Sequence, residues 1–156
     1  MTLIYQTENF IVEAPEKPHV TRTYGGHIKI CPKVKLLDRT QLPPKLAIEL
    51  MRLTMLIGEA MATGLNNRGI DVGRINYQDM GNWDVFKPAG PYLHIHMYGR
   101  AKRAKIQKWG DSVHLPQRNT GFYDKFEPLN QEDILEIQKQ IEILSQTEKY
   151  LPKNWK

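Results

Sequence analysis

The stretch Tyr92-Leu93-His94-Ile95-His96-Met97-Tyr98 alternates apolar residues with imidazoles and phenols. A β-strand sends successive side chains to opposite faces. Tyr92, His94, His96 and Tyr98 therefore share one face, and Leu93, Ile95 and Met97 the other, which can pack on a core. A neutral imidazole can attack phosphorus if one ring nitrogen is free and the other donates to an acceptor that holds the tautomer. A backbone carbonyl beside the strand would serve as that acceptor. The second imidazole can hydrogen-bond a phosphoryl oxygen or protonate a leaving group. Two other readings stand beside this one. The pair can simply decorate a half-buried strand, or it can bind a metal, for which His27, His114, Asp71 or Asp79 would have to supply the third ligand. No HExxH or CxxC spacing accompanies it.

Upstream, Gln78 to Pro91 is turn-rich, with Gly81, Pro88, Gly90 and Pro91. Before it, Ile70–Tyr77 reads as a strand of imperfect alternation. A helix is expected from about Pro43 to about Ala62, because Leu46, Leu50, Leu53, Ile57 and Met61 recur at helical spacing. Proline suits its first turn, and Gly64 is the expected C-cap. Asn9–Ala14 and Gly26–Cys31 read as two further strands, the second stopped by Pro32, with His27, Lys29 and Cys31 on one face. Downstream, residues 99–128 are irregular and basic. A last helix is expected over about 130–147, with Asn130 as N-cap, Asp133 completing a capping box, and Leu129 and Ile134 as a hydrophobic staple. Its apolar stripe is Ile134, Ile137, Ile141 and Leu144. This order predicts an α+β domain, an antiparallel sheet with helices on one face.

A chain of 156 residues, 40% hydrophobic and 25% charged, has the length and composition of one globular domain. No apolar run is long enough to span a bilayer, and the N-terminus lacks the pattern of a signal peptide. The single cysteine, Cys31, forms no internal disulfide and reads as core packing. Together these features favour a reducing cytoplasm and no membrane partner. The net charge of +5 favours anionic partners. Its densest cluster, Arg100 to Trp109, suits a polyphosphate or nucleic acid, or is simply a solvated loop.

The conjunction of Gly26-His27-Ile28-Lys29-Ile30-Cys31-Pro32-Lys33, a long amphipathic helix, a strand reaching Asn76, and the His94/His96 strand resembles the histidine triad family of nucleotide hydrolases and transferases. The resemblance covers roughly Asn9 to Arg100. It implies a HIT-like half-barrel within a single 1–156 domain: a core over about 9–100, the basic segment 100–128 and the C-terminal helix. It also implies that His94 is the nucleophile that takes the nucleotidyl group, and that His96 contacts the α-phosphate and assists the leaving group. His27 then lies near the nucleotide, and Asn76 helps hold it. Two positions depart from the pattern. Tyr92 stands where the first triad histidine belongs, supporting the site with a ring and one hydroxyl. Pro88-Ala89-Gly90-Pro91 lacks the usual polar phosphate contact, for which Asn82, Trp83, Asp84, Phe86 and Lys87 are candidate replacements.

The resemblance thus implies hydrolysis or transfer of a nucleoside monophosphate unit through a nucleotidyl-histidine on His94, as in phosphoramidate or dinucleoside polyphosphate hydrolases. No cofactor or bound metal is obligatory for that chemistry, and a homodimer is expected. The alternatives are a nucleotide-binding or regulatory protein with little turnover, and a metal-dependent hydrolase using His94 and His96 as ligands.

Overall fold

The computed structural model describes residues 1–156. Five strands and two long helices follow in the order β1 (Thr2–Gln6), β2 (Phe10–Ala14), β3 (His27–Pro32), α1 (Pro44–Asn67), β4 (Val72–Asp79), β5 (Ile95–Ala101) and α2 (Gln131–Ser145). The strands form one open antiparallel sheet in the order β1-β2-β3-β5-β4. At its centre Ile28 pairs with Met97 and Ile30 with Ile95, and Val12 of β2 lies opposite Ile30. These side chains are buried with Leu53, Ile57, Met61 and Leu65 of α1. The α+β expectation holds: α1 packs on β4 and β5, and α2 packs on α1 and reaches β1.

Several boundaries differ from the sequence reading. The edge strand β1 went unrecognised in Thr2–Gln6, where a bulge between Leu3 and Tyr5 breaks the alternation. Helix α1 does not stop at Gly64 but runs to Asn67. Gly64 is buried inside it, where an added Cβ would lie 3.1 Å from Ile137 Cγ1, so its lack of a side chain lets α2 in. The helix ends instead on Gly69, at φ +79°. The Gly69 N–H donates to Asn66 O and the Ile70 N–H to Leu65 O, the pair of bonds of a Schellman motif, with Leu65 and Ile70 both in the core. The imperfect alternation of β4 is another bulge, between Val72 and Arg74. It lets Val72 and Ile75 both turn inward.

Helix α2 begins as expected. Asn130 Oδ1 accepts from the Asp133 N–H at 2.9 Å, and Asp133 accepts from the Asn130 N–H at 3.2 Å, closing the capping box. Leu129 and Ile134 both join the core. Asp133 does more than cap. It is fully buried and takes a forked bond from Arg22 at 2.7 and 3.0 Å, and a longer one from Arg68. Arg22 lies between β2 and β3 in the chain, and Arg68 ends α1, so one carboxylate ties three segments together. Asp133→Ala removes the carboxylate half of the capping box and strands the Arg22 guanidinium, so we expect a loss of about 3 kcal/mol in denaturant titration. Asp133→Asn, which keeps an acceptor for the Asn130 N–H, loses less.

Candidate active site

The β3–β5 register builds one wall of the site. It sets His27 opposite Tyr98 and Lys29 opposite His96. Alternation then puts all four on the sheet face away from Ile28, Ile30, Ile95 and Met97. Sheet pairing begins only at Ile95, three residues later than expected, so Tyr92, Leu93 and His94 precede the strand. Leu93 pins this lead-in: its N–H donates to Leu36 O at 2.7 Å and its side chain is buried. Above the sheet, Gly25 and Gly99 meet backbone to backbone. A Cβ on Gly99 would fall 2.0 Å from Gly25 O. Gly25 itself holds φ +122°, which strains any other residue. This contact lays the 15–26 segment across the wall and delivers His19, which sequence reasoning missed.

Four imidazoles converge. His27 Nε2 is 2.8 Å from His96 Nδ1, His96 Nε2 is 2.9 Å from His94 Nε2, and His94 Nδ1 is 2.9 Å from Tyr92 O. One donor sets the polarity of the whole chain. The His19 backbone N–H points at His27 Nδ1, 3.1 Å away, and an N–H can only donate. His27 therefore accepts at Nδ1 and carries its proton on Nε2. It donates to His96 Nδ1, and His96 carries its proton on Nε2 and donates to His94 Nε2. His94 then carries its proton on Nδ1 and donates to the Tyr92 carbonyl. The expected backbone acceptor is thus present, and His94 Nε2 keeps a lone pair, capped by the His96 N–H. The His19 ring stacks on His27, with centroids 4.9 Å apart, and its Nδ1 lies 2.8 Å from the Tyr98 hydroxyl.

Burial keeps these rings neutral. Desolvation is the main cause in each case: His96 is pushed down to about 2, His19 to about 4, His27 well below the ordinary histidine value, and His94 also below it. Nearby Lys29 adds to all four shifts, and Arg118 to those of His19, His27 and His96. Lys29 remains charged. Burial opposes its charge, but the Glu13 carboxylate 3.1 Å away counters that, and its pKa lies above the usual lysine value.

The imidazoles open onto a cleft with two lobes that share His19, Trp83, Asp84, His94 and His96. One lobe, about 360 Å³, is completed by Met80, Asn82 and Leu115. The other, about 420 Å³, adds His27, Tyr92 and the cations Lys17, Lys29 and Arg118. Tyr92 lies against His94, ring centroids 4.6 Å apart. Of the loop aromatics, Trp83 stands edge-on to His19, whereas Phe86 is 96% exposed and touches no ring of the site. Asn76 is placed differently from the other candidates: its Oδ1 accepts from Arg100 at 2.7 Å, and it lines neither lobe. Arg100, first of the basic run, is buried and also donates to the carbonyls of Lys108 and Asp111, while Lys102, Arg103, Lys105 and Lys108 are exposed. His114 is exposed, and Cys31 is held protonated by burial, up to about 11.

A metal would find His19, His27 and His96 ring nitrogens within 4.8 Å of one another. The hydrogen-bond polarity disfavours it: the nitrogen that His27 turns toward His96 carries a proton, because its other nitrogen is engaged by the His19 N–H. His96 Nε2 is protonated for the same reason, which also weakens His94 and His96 as a ligand pair.

These shifts set a pH window. The unfolded chain binds protons on histidine below about 6.5, whereas folded His19 and His96 do so only near about 4 and about 2. Their contribution is therefore complete above about pH 6.5 and is lost as pH falls toward 4, each group giving up as much as ~1.4 kcal/mol per pH unit. Unfolding free energy measured from pH 8 to 4.5 should stay level and then fall below 6.5. His19→Gln should show a shallower fall.

No family model matches the sequence, and no curated protein matches it. Solved structures do match. A hypothetical histidine triad nucleotide-binding protein from Sulfolobus tokodaii superposes with TM-score 0.61 at 13% identity, over 96% of this chain and 89% of that one. A zinc-bound histidine triad family protein from Mycobacterium smegmatis gives 0.59 at 18%, over 92% and 85%. A HIT-like protein involved in cell-cycle regulation from Bartonella henselae gives 0.58 at 12%, over 89% and 85%. At these identities the superpositions speak to the fold: the chain has the histidine triad fold.

Proposed function

We propose that the protein is a nucleotide hydrolase or nucleotidyl transferase that works through a nucleotidyl-histidine on His94. The observation that carries this reading is the directed imidazole chain, which leaves a lone pair on His94 Nε2 and holds its Nδ1 proton on the Tyr92 carbonyl. An entering phosphate displaces the His96 N–H from that lone pair, and His96 turns its proton to a phosphoryl oxygen. The His94 lone pair forms the N–P bond, and the leaving group departs with the electrons of the bond it loses. The adduct is an imidazolium, whose positive charge the Tyr92 carbonyl stabilises through the retained Nδ1–H. Water or another acceptor then attacks phosphorus, its proton passes to solvent, and His94 leaves as the neutral imidazole. Burial that keeps His94 unprotonated keeps it nucleophilic at neutral pH.

The test is release of nucleoside monophosphate from a panel of phosphoramidates and dinucleoside polyphosphates with a chelator present. Acid-quenched samples are examined by intact mass for a nucleotidyl adduct. Native protein should turn over and form the adduct. His94→Ala should do neither, and His96→Ala should lose about 10²–10³-fold in kcat, the usual effect of removing one donor to a developing charge. Nucleotide binding without adduct or turnover would place it instead among binding or regulatory proteins. Activity lost to the chelator would favour the metal-dependent alternative.

The same reading includes a homodimer in a reducing cytoplasm. No helix is long and apolar enough to cross a membrane. Met51 and Met55 of α1 and Tyr77 of the edge strand β4 are exposed around an apolar groove of about 510 Å³ that includes Leu42 and Leu50. A second copy would cover this face and complete the edge. Sedimentation should give a dimer for native protein and a monomer for Met51→Glu/Met55→Glu.

A further inference from the structure

Resting on the His94 reading, we infer that Lys29 is a specificity-determining residue that selects substrates whose leaving group carries phosphate. Two independent features of the site converge on this.

The first is charge. A single phosphodiester-like phosphorus at His94 brings one negative charge, yet the lobe beside it collects Lys17, Lys29 and Arg118. Arg118 donates to the Lys17 carbonyl at 3.0 Å, which holds those two cations together. The acids along the lobe are already engaged: Glu16 by the Met1 amine and Asp84 by Lys87. Glu13 pairs with Lys29 itself and holds it in place. Lys29 is only 9% exposed, and the strand register sets it across from His96, so it is the cation built into the wall. A desolvated ammonium there interacts far more strongly with an anion than a surface lysine does.

The second is the proton inventory. An amine leaving group must gain a proton to depart, whereas a phosphate oxygen can depart as the anion. The imidazole chain supplies a fixed donor but no reloadable acid. His96 presents its Nε2–H and draws on His27. His27 draws on nothing, since its Nδ1 faces a backbone N–H that cannot be surrendered. The P–O bond to the leaving phosphate breaks with its electron pair going to that oxygen, and Lys29 and its neighbours neutralise the charge in place of a proton.

The experiment compares kcat/KM for diadenosine triphosphate, which expels ADP, and adenosine phosphoramidate, which expels ammonia. Both deliver the same adenylyl group to His94. Native protein should favour the triphosphate. Lys29→Met should lower the triphosphate-to-phosphoramidate ratio at least tenfold, and Lys29→Arg should restore most of it. The Glu13→Gln/Lys29→Met double variant leaves no stranded carboxylate and should show the same ratio as Lys29→Met. Equal losses on both substrates, or no change in the ratio, overturn the inference while leaving the His94 chemistry intact. Absence of the adenylyl-His94 adduct from both substrates in native protein overturns the underlying reading instead.

Discussion

Everything chemical in this protein hangs on one backbone hydrogen bond. The His19 N–H, held over the sheet by the 15–26 segment, meets His27 Nδ1, and from that contact the protonation of three further nitrogens follows in sequence. A side-chain donor there could rotate or titrate. A peptide N–H can do neither, so the tautomers are set by the fold itself. The remaining architecture keeps this contact in place. The β3–β5 register aligns His27 and His96, the Gly25–Gly99 approach seats the covering segment, and the Asp133–Arg22 fork ties that segment to α2.

Burial of so many imidazoles is a cost accepted by the fold and used by the site. Removing them from water disfavours their charged forms, which weakens the fold in acid and preserves a lone pair at neutral pH. Lys29 is the counterpoint: a buried group that stays charged because Glu13 lies against it. Neutral imidazoles and a fixed cation thus line the same lobe of the cleft.

Much of this was legible in the sequence because it depends on period-two alternation. His27 and Lys29 on one strand, and His94 and His96 approaching another, could be assigned to a face before any partner was known. The capping box of α2 was legible for the same local reason. What escaped depends on contacts distant in sequence. The end of α1 shifted because Gly64 answers to Ile137 rather than to its own helix. The site role of His19 has no periodic signature, since it sits in a loop after Pro18. Arg118 reaches the cleft from a single 3-10 turn, Arg118–Thr120, in the long connection before α2. Asn76 matched by position, yet the Arg100 side chain engages its amide oxygen, a pairing that no spacing rule contains.

The Gly25–Gly99 contact has a mechanical side as well. Two backbones in van der Waals contact leave no slack, so the covering segment and the sheet behave as one body near the histidines. The opposite rim carries Trp83 and Asp84, which border both lobes, and Asn82, which borders one. A ligand entering such a cleft meets a preorganised wall. The ring nitrogens along that wall are then held ready without rearrangement of the chain that carries them.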